Sequence, residues 1–308
     1  MKKSLIKDIL YGCAVGDALG VPYEFKKGNS FCCMDMTGYG THCQPKGTWS
    51  DDTSMTLCLA DCIADGFSVE KLADNFLKWY EKSEYTAGGN LFDIGNATAC
   101  ALRAIRSGVP CLEAGGTDEW SNGNGSLMRI APLAIYTKDM TVVKRFDLCR
   151  QVSSLTHRHP LSVSACFIYL EFLRSIVSGD SLEIAFDSMI KAKESLHEFG
   201  VEDSVVSGFS MLAKNLKNRK RNEIKSSGFV VDTLVASVWC VLTTDSYKEA
   251  VLKAVNLGDD TDTTGAVTGV IAGLVYGYET IPESWLLFLK NKKLIDFISE
   301  KFERKFCE

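Results

Sequence analysis

The feature that most constrains the fold is glycine repeated at every fourth position in two apolar segments of helical pattern. The glycines are Gly12, Gly16 and Gly20 near the start of the chain, and Gly265, Gly269, Gly273 and Gly277 towards its end. Residues four apart share one face of an α-helix, so each set forms a bare stripe. Glycine in a helix interior costs up to about 1 kcal/mol relative to alanine. We therefore predict that segments 4–19 and 263–277 are central helices whose backbones approach closely.

The rest of the sequence is also helical in pattern. Apolar residues recur at helical spacing after Ser50 and near 68–82, 93–106, 126–137, 141–154, 160–178, 181–197, 203–216, 229–243, 246–255 and 283–304. Alternating strand patterns are scarce, and no linker rich in proline, glycine or serine divides the 308 residues. We expect an all-α protein in which residues 1–308 form a single compact multi-helix domain.

Composition excludes several functional classes. A net charge of −5 argues against non-specific binding of nucleic acid, which needs a basic surface. Asp8 interrupts any signal-like apolar segment, and the apolar runs 230–244 and 263–277 are shorter than the roughly 20 residues that span a bilayer. The twelve cysteines are scattered without a CxxC pair, which is typical of a reducing compartment. We expect a cytoplasmic monomer that binds neither nucleic acid nor membrane.

An acidic and hydroxyl-rich stretch, 259–264, precedes the second glycine-rich helix. It holds three carboxylates and three hydroxyls in six residues. One interpretation is a polar helix cap with solvated acids. The other is a site for a hard divalent cation such as Mg²⁺ or Mn²⁺, whose preferred ligands are oxygens. An EF-hand is excluded because Ile271 stands at the twelfth position, where a bidentate glutamate is needed.

A second acidic helix start, at 50–53, lies about 210 residues before the first. If the two converge, their oxygens suffice for two divalent ions, which can orient a water and stabilise a leaving group. The residues that would supply these ligands are Ser50, Asp51, Asp52, Asp260, Asp262 and Thr263.

Other polar motifs are ambiguous when each is taken alone. The glycine-rich segment 122–129 is either a plain turn or a cradle of N–H groups for phosphate. His157 lies between helices and is either structural or part of a site. Asp93 either caps a helix or faces a substrate. Asp17 and Glu24 flank the end of the first helix and are candidates for a site there.

The order of these motifs resembles the ADP-ribosylglycohydrolase family, typified by dinitrogenase reductase-activating glycohydrolase and its animal relatives. The resemblance covers residues 12–277. It rests on Gly-Asp-Ala-Leu-Gly with the later Glu at 16–24, Ser-Asp-Asp-Thr at 50–53, Asp-Ile-Gly-Asn at 93–96, Gly-Asn-Gly-Ser-Leu-Met-Arg-Ile-Ala-Pro at 123–132, Thr-His at 156–157, 227–234 and Gly-Asp-Asp-Thr-Asp-Thr at 258–263.

The resemblance implies an all-α fold with a central cleft that holds two Mg²⁺ or Mn²⁺ ions, Asp262 bridging them. It implies hydrolysis of the bond from ribose C1″ to a protein side chain, with release of ADP-ribose. Glu24, Asp93 and Asp262 would be catalytic, and Glu24 or Asp93 would manage the proton of the leaving nitrogen. The matching substrate residues are Gly123, Gly125 and Ser126 for the diphosphate, His157 for the distal ribose, Phe229, and Asn96, which with Asp93 faces an arginine guanidinium.

Three departures from the family pattern leave the carboxylate ligands intact. Asp259 stands where many members have glycine, Ser50 replaces threonine, and Phe229 replaces tyrosine and can still stack. We expect an active enzyme whose partner is an ADP-ribosylated protein, with arginine as the acceptor. The alternatives are a module that binds ADP-ribose without turnover, and a di-metal hydrolase of serine-linked ADP-ribose or of a ribosylated metabolite.

Overall fold

Fourteen α-helices and short 3₁₀ turns make up the computed structural model, which describes residues 4–306. The helices are α1 Leu5–Gly20, α2 Asp51–Ala64, α3 Val69–Lys82, α4 Asn96–Arg106, α5 Leu133–Tyr136, α6 Val142–Ser154, α7 Pro160–Val177, α8 Leu182–Glu194, α9 Asp203–Ser207, α10 Val230–Leu242, α11 Tyr247–Val255, α12 Thr261–Tyr276, α13 Glu283–Phe288 and α14 Lys292–Phe306. Extended pairing within residues 4–306 is limited to isolated bridges. The all-α prediction is confirmed.

Helices α1 and α12 form the centre of the fold, and their backbones touch. A Cβ atom added to Gly12 would lie closer than 3.0 Å to the carbonyl oxygen of Gly269, and one added to Gly16 would clash in the same way with Gly265. Tyr247 on α11 seals this contact by donating its hydroxyl hydrogen to the Gly12 carbonyl at 2.8 Å. The glycine stripe therefore packs helix directly on helix, as predicted.

The two outer glycines of the stripes have different roles. A Cβ atom on Gly20 would meet the backbone of Asp262, so the last turn of α1 lies against the first turn of α12. Gly277 lies beyond α12 and ends that helix with a φ of +92°, a left-handed conformation that favours glycine. The interhelical contact therefore runs from Gly20 to Gly273, and Gly277 is outside it.

The remaining helices enclose this pair. Helices α10 and α11 pack on α12, while α2 packs on α1 with α3 and α14 behind it. In the described chain one helix, α7, is long and apolar enough by length and composition to cross a membrane, and 83% of it is buried inside the fold. Its Tyr169 hydroxyl donates to the Val267 carbonyl of α12 at 3.2 Å, which ties α7 to the centre.

Three predicted helices are wrong in extent. Segment 126–137 is helical only over α5, because Pro132 has no N–H for a helix that started earlier. Segment 203–216 is helical only over α9, which ends at Ser207, and it continues as turns. Segment 283–304 forms two helices, α13 and α14. The chain leaves the helical path between them because the N–H of Lys290 donates to the Gly47 carbonyl at 2.9 Å.

We expect Gly269→Ala to lower the free energy of unfolding by about 1–3 kcal/mol, the range for overpacked cores, because the added methyl meets main-chain atoms. Urea denaturation of the purified protein measures this change. Gly88→Ala is the control, since a Cβ atom there meets no atom within 4 Å. Equal stability of the two variants would show that α1 and α12 do not depend on glycine contact.

Candidate active site

Three helix ends bring buried carboxylates together. Asp17 lies in the last turn of α1, Asp52 in the first turn of α2 and Asp262 in the first turn of α12. One carboxylate oxygen from each of the three lies within 4.8 Å of the others, and all three residues are buried. The contact between Gly20 and Asp262 brings α12 to this point. The predicted convergence of the two acidic helix starts is confirmed.

Asp17 organises the start of α2. Its carboxylate accepts hydrogen bonds from the Ser50 N–H at 2.9 and 3.0 Å, the Thr53 N–H at 3.1 Å and the Thr53 hydroxyl at 2.6 Å. Burial raises the pKa of Asp17 to about 7, although these hydrogen bonds act in the opposite direction. The sequence pointed to Asp17 only through its place at a helix end. The structure shows that it fixes the turn that carries Ser50, Asp51 and Asp52.

Two carboxylate oxygens at this site are buried without a hydrogen-bond partner. They are Oδ1 of Asp52 and Oδ1 of Asp260. The other oxygen of Asp52 accepts from the hydroxyls of Ser50 at 3.2 Å and Thr263 at 3.3 Å. A buried acceptor without a partner is costly, and a charged one more so. Since a cation would satisfy both oxygens, the arrangement fits a metal site.

The electrostatics of the group support the same conclusion. Burial, reinforced by the neighbouring carboxylates, raises the pKa values of Asp51, Asp52 and Asp262 well above the usual range. Burial also raises the pKa of Asp260. Carboxylates in such proximity resist ionising together unless a positive charge lies between them. The donors are all oxygens, the ligand type that hard divalent ions prefer, so these residues could hold a divalent metal.

Glu24, His42 and Asp93 form the adjoining part of the site. Nε2 of His42 is hydrogen-bonded to Oε2 of Glu24 and lies 3.8 Å from Oδ2 of Asp93. A carboxylate oxygen of Asp262 lies within 4.8 Å of the ligand atoms of all three. Burial raises the pKa of Glu24 to about 7, and burial also raises that of Asp93. Asn96 is exposed in the first turn of α4, just beyond Asp93.

Sequence reasoning missed His42. It falls in the glycine-containing segment 26–47, which the sequence identified only as a loop. The one signal that could have found it is position, because it is the histidine between the Glu24 motif and the acidic start of α2. The pKa of His42 is raised, and the largest cause is the hydrogen bond that the protonated ring donates to the Glu24 carboxylate.

The glycine-rich loop is connected to the acidic group. Asn124 donates from its side-chain amide to Oδ2 of Asp260 at 2.8 Å and to the Thr233 hydroxyl at 2.8 Å. Arg129, buried below the loop, donates to the Gly125 carbonyl at 2.8 Å. Gly123 forms an isolated bridge with Phe229, whose side chain is 40% exposed. The loop thus extends the site from Asp260 to an exposed aromatic ring.

His157 lies beneath this loop and is buried. Its Nδ1 is 2.7 Å from the Thr156 hydroxyl, and a Cβ atom on Gly125 would approach its Cε1 to 2.9 Å. Burial, with a smaller effect from Arg129, lowers the pKa of His157 to about 3, so the ring is neutral. Gly125 must be small because the imidazole lies against it.

The predicted substrate residue Ser126 has its side chain in the core. Its hydroxyl accepts from the Ser153 hydroxyl at 3.0 Å and lies 3.3 Å from the Cys166 thiol. The hydroxyl therefore does not face the loop surface, and Ser126 as a whole is buried beneath it. The hydrogen bond from Asn124 to Asp260 connects the loop to the acidic group, and Asp262 connects that group to Asp93. Asn96 follows Asp93 at the start of α4.

Comparison with known proteins agrees with this arrangement. A sequence profile of the family described as ADP-ribosylglycohydrolase matches residues 2–307. The "ADP-ribosylarginine hydrolase Tri1" of Serratia proteamaculans is 36% identical over 96% of this chain and 78% of its own. The "ADP-ribosyl-[dinitrogen reductase] glycohydrolase" of Rhodospirillum rubrum is 27% identical over 91% of this chain and 88% of its own.

The fold is also found among solved structures. One described as "ADP-ribosylglycohydrolase-related protein complex" is 28% identical, covers 99% of both chains and superposes with a TM-score of 0.79. The profile match, the relatives and the arrangement of acidic helix ends agree with one another. The chain belongs to the ADP-ribosylglycohydrolase family.

Proposed function

We propose that this protein is a metal-dependent hydrolase that removes ADP-ribose from arginine side chains of modified proteins. The observation that carries the proposal is the buried group of Asp17, Asp52 and Asp262, in which one oxygen of Asp52 has no hydrogen-bond partner. The glycine loop lies on one side of this group, and Glu24 and Asp93 lie on the other. The relatives named ADP-ribosylarginine hydrolase, from Serratia proteamaculans and Pseudomonas putida, support arginine as the acceptor.

The metal part of the proposal is two divalent cations, Mg²⁺ or Mn²⁺. The residues that would hold them are Ser50, Asp51, Asp52, Asp260, Asp262 and Thr263, as the sequence predicts. When bound, such ions supply the positive charge that offsets the clustered carboxylates and the charge of the reacting ribose. Asp17 contributes by hydrogen-bonding the Ser50 turn in place rather than by facing the substrate.

The glycine loop and Phe229 would bind the ADP portion. Gly123 and Gly125 are partly exposed and have no side chain, so their main-chain N–H groups would be free to donate to a diphosphate. The exposed ring of Phe229 offers a face on which a base can stack. The Asn124 amide joins this loop to Asp260, so the ribose would be held at a fixed distance from the acidic group.

Glu24 and Asp93 would manage the protons of hydrolysis. The bond between ribose C1″ and the guanidine nitrogen breaks, the nitrogen takes up a proton, and the oxygen of a water forms a bond to C1″ and loses its proton to a carboxylate. Because burial raises the pKa of Glu24 to about 7, part of its population carries a proton near neutral pH and can act as the acid. Asp93 lies on the other side of the His42 ring, 3.8 Å from its Nε2, and would share this role.

The cysteines also bear on the cellular setting of the protein. The cysteines of residues 4–306 are free thiols, which supports a reducing, cytoplasmic location. We propose that the protein acts there as a monomer on an ADP-ribosylated protein.

We expect the wild-type protein to release ADP-ribose from an ADP-ribosyl-arginine protein in the presence of Mg²⁺ or Mn²⁺. This release should stop when a chelator is added. Asp262→Asn removes a charge at the centre of the acidic group and should lower kcat by at least about 100-fold. Asp187→Asn, an exposed carboxylate on α8, is the matched control and should behave as wild type.

Two other outcomes would identify the alternatives. Tight ADP-ribose binding by calorimetry without any release would indicate a binding module. Release only from serine-linked substrate or from a ribosylated metabolite would keep the hydrolase and change its acceptor.

We expect Asp93→Asn to lower kcat toward the arginine-linked substrate by about 100-fold, because a positioned acid or base contributes about 10²–10⁴-fold. Steady-state kinetics on the modified protein measure the change, with Asp187→Asn on α8 again as the control. Full activity of Asp93→Asn would remove this residue from the chemistry.

We expect the metal-free protein to lose stability as pH rises from about 4 to above 7. The pKa values of Asp17 and Glu24 are about 7 in the fold and about 4 when unfolded. The fold therefore favours the protonated forms, and their contribution, on the order of a few kcal/mol, disappears as pH rises through 7. Urea denaturation with a chelator at several pH values measures this loss.

The same experiment with added cation separates metal binding from general salt effects. Mg²⁺ or Mn²⁺ should restore stability most strongly above pH 7, where the carboxylates are ionised. Asp262→Asn should show a smaller restoration than Asp187→Asn. A pH-independent stability, or an equal response of both variants, would contradict a metal site at the acidic group.

A further inference from the structure

His42 is held by a loop whose backbone is built in an unfavourable conformation. Tyr39, Gly40 and Cys43 have φ values of +65°, +64° and +53°, and two of these three residues are not glycine. The loop is closed by the Tyr39 N–H, which donates to the Gln44 carbonyl at 2.5 Å, and by the Cys43 N–H, which donates to the Gly40 carbonyl at 3.4 Å. Left-handed conformations of non-glycine residues cost free energy and cluster at functional sites.

This loop is docked on the segment that carries Glu24. A Cβ atom on Gly40 would lie closer than 3.0 Å to the Pro22 carbonyl oxygen, so the two backbones are in contact. The Thr41 hydroxyl donates to the Glu24 carbonyl at 2.7 Å. These two contacts fix the position of His42 relative to the main chain of Glu24, independently of the hydrogen bond between the two side chains.

The imidazole of His42 is confined on several sides. Its centroid lies 6.1 Å from the ring of Phe25 and 5.5 Å from that of Phe92, and its side chain is only 13% exposed. Its Nε2 is hydrogen-bonded to Oε2 of Glu24 and lies 3.8 Å from Oδ2 of Asp93. The ring thus lies between the two carboxyls proposed to manage protons.

We propose that His42 is a positioning residue, which holds the Glu24 carboxyl in the site and opposite Asp93. A carboxylate oxygen of Glu24 lies within 4.8 Å of one from Asp93 and one from Asp262, so the Glu24 carboxyl is crowded by similar groups. The His42 ring is its hydrogen-bond partner within this group. His42 thus acts through Glu24. The expected effect on kcat rests on the proposed function. The pairing of His42 with Glu24 rests on the geometry alone.

The test compares His42→Leu and His42→Gln in the full-length protein. We expect His42→Leu to lower kcat on ADP-ribosyl-arginine protein by about 10–100-fold, the usual cost of losing an orienting partner. KM should change less than about twofold, because the ADP-binding loop is untouched. His42→Gln keeps an N–H donor and should recover part of kcat. His197→Gln, a surface histidine beside Asp203, is the matched control.

A double-mutant cycle with Glu24→Gln isolates the pairing. If His42 acts through Glu24, the double variant His42→Leu with Glu24→Gln loses no more kcat than Glu24→Gln alone. Losses that multiply, or a wild-type kcat for His42→Leu, would overturn the inference.

The same cycle measured on ADP-ribose affinity and on urea denaturation does not depend on turnover. If the wild type releases no ADP-ribose, the proposed function fails. The pairing of His42 with Glu24 is then decided by these two measurements alone. Non-additive effects in affinity or stability would support it, and additive effects in both would reject it.

Discussion

The backbone contact between α1 and α12 is the constraint on which the rest of this structure depends. Glycine at Gly12, Gly16, Gly265 and Gly269 lets the two helices lie closer than any side chain would allow. The same contact ends at Gly20, where the last turn of α1 touches the first turn of α12. A shift of one helix against the other would therefore move Asp262 away from the other carboxylates. The packing of the apolar centre therefore also determines the geometry of the polar site.

The carboxylates of the site repel one another when ionised, and the surrounding chain holds them together. Several carboxyls are buried together, and each pKa is raised by burial, which means that the fold resists their ionisation. Hydrogen bonds from Ser50, Thr53 and Asn124 compensate for part of this cost. A cation would compensate for the rest. A protein with this arrangement gives up stability in its metal-free form in order to hold an oxygen-lined site, a common exchange at functional positions.

Much of this could be predicted from the sequence, because the signals are local. Helical periodicity placed most helices. The density of oxygen ligands at the starts of α2 and α12 made a shared site possible, and the family resemblance made it an expectation. His42 could not be found in this way, since its position depends on left-handed residues such as Tyr39 and Cys43, which carry no local signal. The break at 289–291 was missed for a similar reason: Gly47 and Trp49, distant in sequence, bind Lys290 and override helix propensity.

The distance along the chain between the two halves of the site has a consequence for synthesis. Thr261 donates its hydroxyl hydrogen to the Gly20 carbonyl across 241 positions of sequence. Contacts this remote carry a high loop-closure entropy and form late in folding. A nascent chain on the ribosome holds Asp17 and Asp52 long before Asp262 emerges, so the acidic pocket cannot assemble during most of translation. Any cation bound by this pocket would therefore enter only after nearly the whole domain has left the exit tunnel.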